Sequence, residues 1–98
     1  MDTELTPQEK LAALEFLVVD LERHLEEKRT EIARLVAERN AEVMRFEVFQ
    51  ENGRLEPLPE MQGELRQLGQ RIGWDEDYVR EQTAILEMYR RKRDQLRA

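Results

Sequence analysis

The sequence predicts an all-α fold in which one long N-terminal helix is followed by a chain reversal and two shorter helices that pack back against it. Residues 8–52 contain neither glycine nor proline, whereas residues 53–59 hold one glycine and two prolines. Of the 98 residues, 39% are charged and 40% hydrophobic, a balance typical of coiled coils and elongated helical bundles. This length indicates a single helical domain over residues 1–98.

The first helix has a clear start. Thr6 fits an N-cap, Pro7 fits the first helical position, and Glu9 stands where its carboxylate can bond back to the cap. With its end set before Gly53, the helix is predicted over residues 7–52 and is roughly 70 Å long. Because so long a helix is not an ordinary packed element, it needs a partner along its length. That partner is either the rest of the chain or a second copy.

Mainly apolar residues recur along this helix at alternating steps of three and four, which is the spacing of a coiled-coil seam. The seam comprises Leu11, Leu14, Val18, Leu21, Leu25, Lys28, Ile32, Leu35, Arg39, Glu42, Phe46 and Phe49. Lys28, Arg39 and Glu42 are charged where a plain zipper carries leucine. One interpretation is that Lys28 and Arg39 extend toward solvent or pair with glutamates on a facing helix. The other is that the seam opens into a polar pocket, with Arg39 aimed at an anion.

Gly53 to Pro59 is predicted to reverse the chain, with Asn52 and Gly53 capping the first helix in the left-handed region. A second helix over residues 60–72 follows from a seam at Met61, Leu65, Leu68 and Ile72. Gly73 is predicted to end it, and Asp75 to cap a third helix over residues 76–97. The seam of that helix comprises Val79, Gln82, Leu86, Tyr89, Arg93 and Leu96.

Composition excludes several classes of function. The net charge of −6 argues against binding to nucleic acid or to an anionic membrane, and no apolar run reaches the ~20 residues of a membrane span. The chain has no cysteine and no serine, and His24 is its single histidine, so we expect no nucleophile–base pair and no metal site. The N-terminus lacks a signal-peptide pattern, which predicts a cytoplasmic location.

The same composition predicts self-association. A thin core in a small chain is commonly completed by a second copy, so we expect a homodimer. The first third of the long helix is apolar on nearly every side, which predicts burial on more than one face.

Two segments resemble the all-helical class of chorismate mutase. Leu35-Val36-Ala37-Glu38-Arg39 is similar to that family's L-L-A-E-R segment, and Gly73-Trp74-Asp75-Glu76-Asp77-Tyr78-Val79 is similar to its G-L-D-P-x-F/Y-V start of the last helix. The resemblance implies an intertwined helical homodimer whose pockets take residues from both chains. It also implies a rearrangement of chorismate to prephenate without a cofactor. Arg39 would bind a carboxylate of the small anionic ligand.

The other catalytic positions of that family fall on different residues here. They fall on Glu22 beside Arg23, on Gln50, near Gln62 and on or beside Gln95. The candidate ligand-binding residues are therefore Arg39, Gln50, Gln62, Gln95 and Arg23, and none is assigned as catalytic.

In that family most of these positions carry the cations that hold the substrate dianion, and most of those cations are missing here. We therefore expect a chorismate-mutase-like dimer that is catalytically impaired or has a binding or regulatory role. One alternative is a coiled-coil scaffold that binds a protein partner and has no small-molecule site. The other is an active mutase with an atypical pocket.

Overall fold

The protein forms a helical hairpin of two long antiparallel helices in a computed structural model that describes residues 4–54 and 58–98. Helix α1 spans Pro7–Glu51 and helix α2 spans Leu58–Arg97. The hairpin is thin and elongated, with extents of 71 × 27 × 14 Å. The described residues contain no β-strand, which confirms the all-α prediction.

Both ends of α1 form as predicted. The Thr6 hydroxyl accepts a hydrogen bond from the Glu9 N–H at 3.1 Å, and the Thr6 N–H donates to Glu9 Oε1 at 2.9 Å. The bond from the Thr6 N–H, followed by the Thr6 side chain, lowers the pKa of Glu9, because the ionised carboxylate is the better acceptor. At the other end Gly53 has φ 71°, and the Gly53 and Arg54 N–H groups donate to the Gln50 and Phe49 carbonyls. This pattern is a Schellman motif, and it ends α1 one residue before the predicted limit.

The prediction of two shorter helices is wrong, because α2 is continuous through Gly73. Gly73 does not adopt a positive φ, and Asp75 lies inside the helix rather than at a cap. Half-buried Asp75 sits in the seam, where it pairs with Lys28 of α1 across 3.6 Å. Packing along α1 therefore outweighs the loss of helix propensity at each glycine, about 1 kcal/mol relative to alanine. Leu55, Glu56 and Pro57 of the predicted reversal lie outside the described residues.

The heptad seams predicted for both helices line the contact between them. All twelve predicted seam residues of α1 are buried or half-buried, and so are all ten of α2. The most continuous apolar packing lies in the half of the hairpin away from the turn. It consists of Val18, Leu21, Leu25 and Leu86, with Val79, Ile85 and Tyr89 packed against them. We call these residues the core cluster.

Ion pairs across the hairpin establish its register. Arg97 Nη2 lies 2.9 Å from Glu15 Oε1, and Arg90 Nη2 lies 3.5 Å from Glu22 Oε1. From the first of these ion pairs to the second, α1 advances by seven residues and α2 goes back by seven, as an antiparallel pair of heptads requires. On the opposite side of the seam, Arg71 Nη2 lies 3.5 Å from Glu31 Oε1.

Candidate functional site

Lys28 occupies a polar layer in the middle of the seam. Its Nζ lies 3.6 Å from Asp75 Oδ1, 3.4 Å from Glu31 Oε2 and 5.4 Å from the centroid of the Tyr78 ring. Desolvation works to lower the pKa of Lys28, but the charges of Asp75 and Glu31 outweigh it and raise that pKa above its usual value. Lys28 thus pairs across the helices as one interpretation of the sequence had it, although the partner on α2 is an aspartate.

Arg39 and Glu42 form a second charged stretch of the seam, nearer the turn. Arg39 is half-buried, and within residues 4–54 and 58–98 no side chain forms an ion pair with it. Glu42 Oε1 accepts from Arg45 at 3.4 Å, whereas Glu42 Oε2 is buried without a hydrogen-bond partner. A buried carboxylate oxygen without a hydrogen bond is unfavourable, so Glu42 lowers the stability of this end of the seam.

A groove of about 420 Å³ opens beside Glu42. It is lined by Glu38, Glu42, Glu64, Gln67, Leu68 and Arg71. Three carboxylates and one guanidinium line it, and Glu38 pairs with Arg34, Glu42 with Arg45 and Arg71 with Glu31. The lining thus carries more negative than positive charge and, among the residues that the structure describes, holds no unpaired cation that would attract a dianion. The groove therefore offers no cationic pocket within one chain.

The hairpin does not bring the five candidate ligand-binding residues together. Arg23 is exposed and donates to Asp20 at 2.8 Å, and it lies about 24 Å along α1 from Arg39. Gln50, Gln62 and Gln95 are exposed, and the continuous α2 separates the last two by about 50 Å. A pocket that uses all five would need residues from more than one chain, and it stays a prediction.

The two broad faces of the hairpin differ in character. One, the ion-paired face, is defined by Glu15, Glu22, Arg90 and Arg97, which pair across the helices. It also contains a groove of about 430 Å³ lined by Glu22, Leu25, Glu26, Arg29, Thr83, Leu86 and Arg90. The three glutamates named on this face are matched by three arginines, so their charges compensate one another within the chain.

The opposite face, the apolar face, is defined by Leu17, Trp74, Tyr78 and Met88, with half-buried Ile85 between the helices. Trp74 is 67% exposed and Met88 57% exposed. The outer side of α1 adds Phe16 and Val19, which are 69% and 67% exposed. The predicted burial of the first third of α1 on several faces is therefore not met within one chain: Val18 and Leu21 are buried, and their apolar neighbours remain in solvent.

Sequence reasoning missed the apolar face because half of it comes from α2. The signal was present: Trp74 and Met88 are fourteen residues apart and so occupy the same heptad position. The helix break predicted at Gly73 obscured this relation, because it placed the two residues in different helices.

No protein-family model, curated protein sequence or solved structure matches the chain. In the part of the chain that the structure describes, no helix is long and apolar enough to cross a bilayer. Nor do the described residues contain a group of three or more histidine or carboxylate side chains that could hold a metal ion.

Proposed function

We propose that this chain is a helical-hairpin interaction module that works as a homodimer. The single observation that supports this proposal is the apolar face: large hydrophobic side chains from both helices remain in solvent after the seam is complete. Contiguous apolar surface of this kind marks protein–protein interaction sites. The acidic groove beside Glu42 favours this function over the binding of a small dianion.

Shape and surface area support the same proposal. The radius of gyration over Cα atoms is 21.6 Å, against about 13 Å for a compact chain of this length. The chain exposes 7639 Å², whereas a compact protein of its mass exposes about 5,900 Å². The excess of about 1,700 Å² per chain exceeds the area that each partner contributes to a stable protein–protein interface, about 600–1,000 Å².

Light scattering coupled to size-exclusion chromatography tests the homodimer. We expect a mass of twice the 11.8 kDa of one chain at micromolar concentration. Because the hairpin is elongated, its elution volume alone would overestimate the mass, so the mass must come from the scattering. A chain that stays at 11.8 kDa up to millimolar concentration would overturn the proposal.

A second candidate function is binding or isomerisation of a chorismate-like anion in a pocket shared between two chains. The observation that favours it is Arg39, which is half-buried and has no ion pair among the described residues. Incubation with chorismate, followed by its absorbance, tests the isomerisation, and a rate no higher than that of buffer rejects it. For binding, chorismate should raise the melting temperature of the protein but not that of Arg39→Ala.

A further inference from the structure

We infer that the apolar face binds the apolar face of a second copy, antiparallel about a two-fold axis. This inference rests on the homodimer proposed above and names the surface and orientation that it uses. The two faces stack so that α1 lies against α1 of the second copy, and α2 against α2. In a symmetric dimer the same patch is used twice, so the patch must be complementary to itself.

The apolar part of the patch satisfies this condition. Leu17 and Met88 flank the core cluster on one side of the seam, beside its member Ile85, which already packs against buried residues. Trp74 and Tyr78 extend the patch toward the turn. A second copy centred at the level of Leu86 would cover Leu17, Ile85 and Met88 and continue the existing core, whereas Trp74, twelve residues nearer the turn, would lie opposite the open end of that copy.

The charges of the apolar face are also complementary to those of a second copy. Lys10 and Lys92 lie near the open end of the hairpin, whereas Glu27 and Glu81 lie further toward the turn. All four are exposed, and none forms an ion pair with another residue that the structure describes. On the ion-paired face, by contrast, Glu22 already pairs with Arg90. These four charges of the apolar face are therefore available to pair with a second copy.

The positions of these charges determine the orientation of the second copy. The midpoint between Lys10 and Glu27 lies next to Val18, and the midpoint between Glu81 and Lys92 lies next to Leu86. Val18 and Leu86 belong to the same core cluster, so both midpoints fall at one level of the hairpin. A two-fold axis at that level places the lysines of each copy over the glutamates of the other.

A parallel arrangement has the opposite effect. With the axis along the helices, α1 of one copy would face α2 of the other. Lys10 would then lie near Lys92 of the second copy, and Glu27 near Glu81. Like charges across an interface select against that arrangement, whereas opposite charges direct the encounter toward the antiparallel one.

Two exposed apolar residues give a matched test of the surface. Met88 lies on the apolar face, and Val19 lies on the outer side of α1 toward the ion-paired face, with similar exposure. Because the two-fold axis introduces two charges at once, Met88→Glu should raise the dimer dissociation constant about 100-fold or more. Val19→Glu should leave it within about 2-fold. Sedimentation equilibrium gives the constants, and far-UV circular dichroism should show equal helicity in all three proteins.

Charge reversal tests the orientation. Lys92→Glu alone and Glu81→Lys alone should each weaken the antiparallel dimer, and the double variant should restore the wild-type dissociation constant. In a parallel dimer Lys92→Glu would instead strengthen association, because it would place a glutamate near Lys10 of the second copy. That result would overturn the orientation, and so would a double variant weaker than both single ones.

The outcomes separate this inference from the function on which it rests. A wild-type dimer that tolerates Met88→Glu but dissociates with Val19→Glu would place the interface on the outer side of α1. Self-association would then stand, and the apolar-face interface would be rejected. A wild-type chain that is monomeric at every concentration would reject both.

Discussion

Lys28 and Asp75 carry the most specific contact between the two helices. An apolar seam alone tolerates slippage by a heptad, because leucine packs against leucine in several registers. A single charged layer penalises those alternatives, since a slipped pairing would leave one charge of the layer without its partner. Proximity of Lys28 to the Tyr78 ring adds to the same preference. We therefore assign this pair to register rather than to a ligand.

Substitution of this pair tests that assignment. Lys28→Met should lower the free energy of unfolding by about 1 kcal/mol, because it leaves half-buried Asp75 without its cross-helix partner. Lys28→Met combined with Asp75→Leu should recover the wild-type value or exceed it, since an apolar pair removes the desolvation cost. Urea denaturation at one fixed protein concentration measures both.

A matched control comes from an ion pair outside the seam. Arg34 pairs with Glu38 along α1, and the two side chains are 56% and 45% exposed. Arg34→Met should change stability by less than about 0.5 kcal/mol. If the double variant at residues 28 and 75 were less stable than Lys28→Met alone, the layer would be more than a register device.

Helix α2 is the element for which the sequence was least sufficient. Gly73 followed by Trp74 and Asp75 has every local sign of one helix ending and another beginning. The seam indicates one continuous helix instead, because Ile72, Asp75 and Val79 continue the alternation of three and four without a change of phase. Two independent helices would have no reason to share a phase. Burial of Ile72 contributes about 1.5–3 kcal/mol, more than the helix propensity that Gly73 loses.

Gly73→Ala distinguishes a continuous helix from an interrupted one. An alanine Cβ at this position would meet no atom within 4 Å, and the backbone is helical. The substitution should therefore stabilise the protein by about 0.5–1 kcal/mol. Thermal unfolding followed by circular dichroism measures the change.

Gly53→Ala provides the contrasting variant. Gly53 also has open space around it, but its φ of 71° is costly for any residue with a Cβ. We expect a loss of about 1–2 kcal/mol. If Gly73→Ala were equally destabilising, Gly73 would act as a cap and α2 would be two helices.

At the scale of the whole molecule, heptad spacing predicted almost every residue of the contact, and the predicted chain reversal, rather than the spacing, indicated that the later part of the chain packs against α1. Leu25 and Leu86 were both assigned to seams, yet a seam describes one surface and is silent on which other surface covers it. The structure pairs α1 with α2 of the same chain. Arg39 was identified as unusual from its seam position, and it is half-buried as that position requires. Its ligand could not follow from the sequence, because spacing along one helix carries no information about a second chain.

The two faces could be predicted only in part: the shared heptad position of Trp74 and Met88 marks one side of α2, but not the side of α1 that joins it. Residues on either side of a seam are equivalent until the register across the helices is known. Glu22 and Met88 have no visible relation in the sequence, and only the pairing of Glu22 with Arg90 places them on opposite faces. The apolar face is thus a property of the assembled hairpin.

The constant register has a consequence for how the chain reaches its native state. Contacts beside the turn join residues close in sequence, while those at the open end, such as Glu15 with Arg97, close a loop of most of the chain. If folding begins at the turn beside Gly53, the layers that contain the charged seam residues therefore form first. The entropy cost of closing the loop rises only slowly with each further helical turn. The core cluster lies in the half that closes later, before the layer of Leu11, Leu14 and Leu96 at the open end. Its burial makes a late step of zipping favourable and limits how far fraying can spread from the free ends.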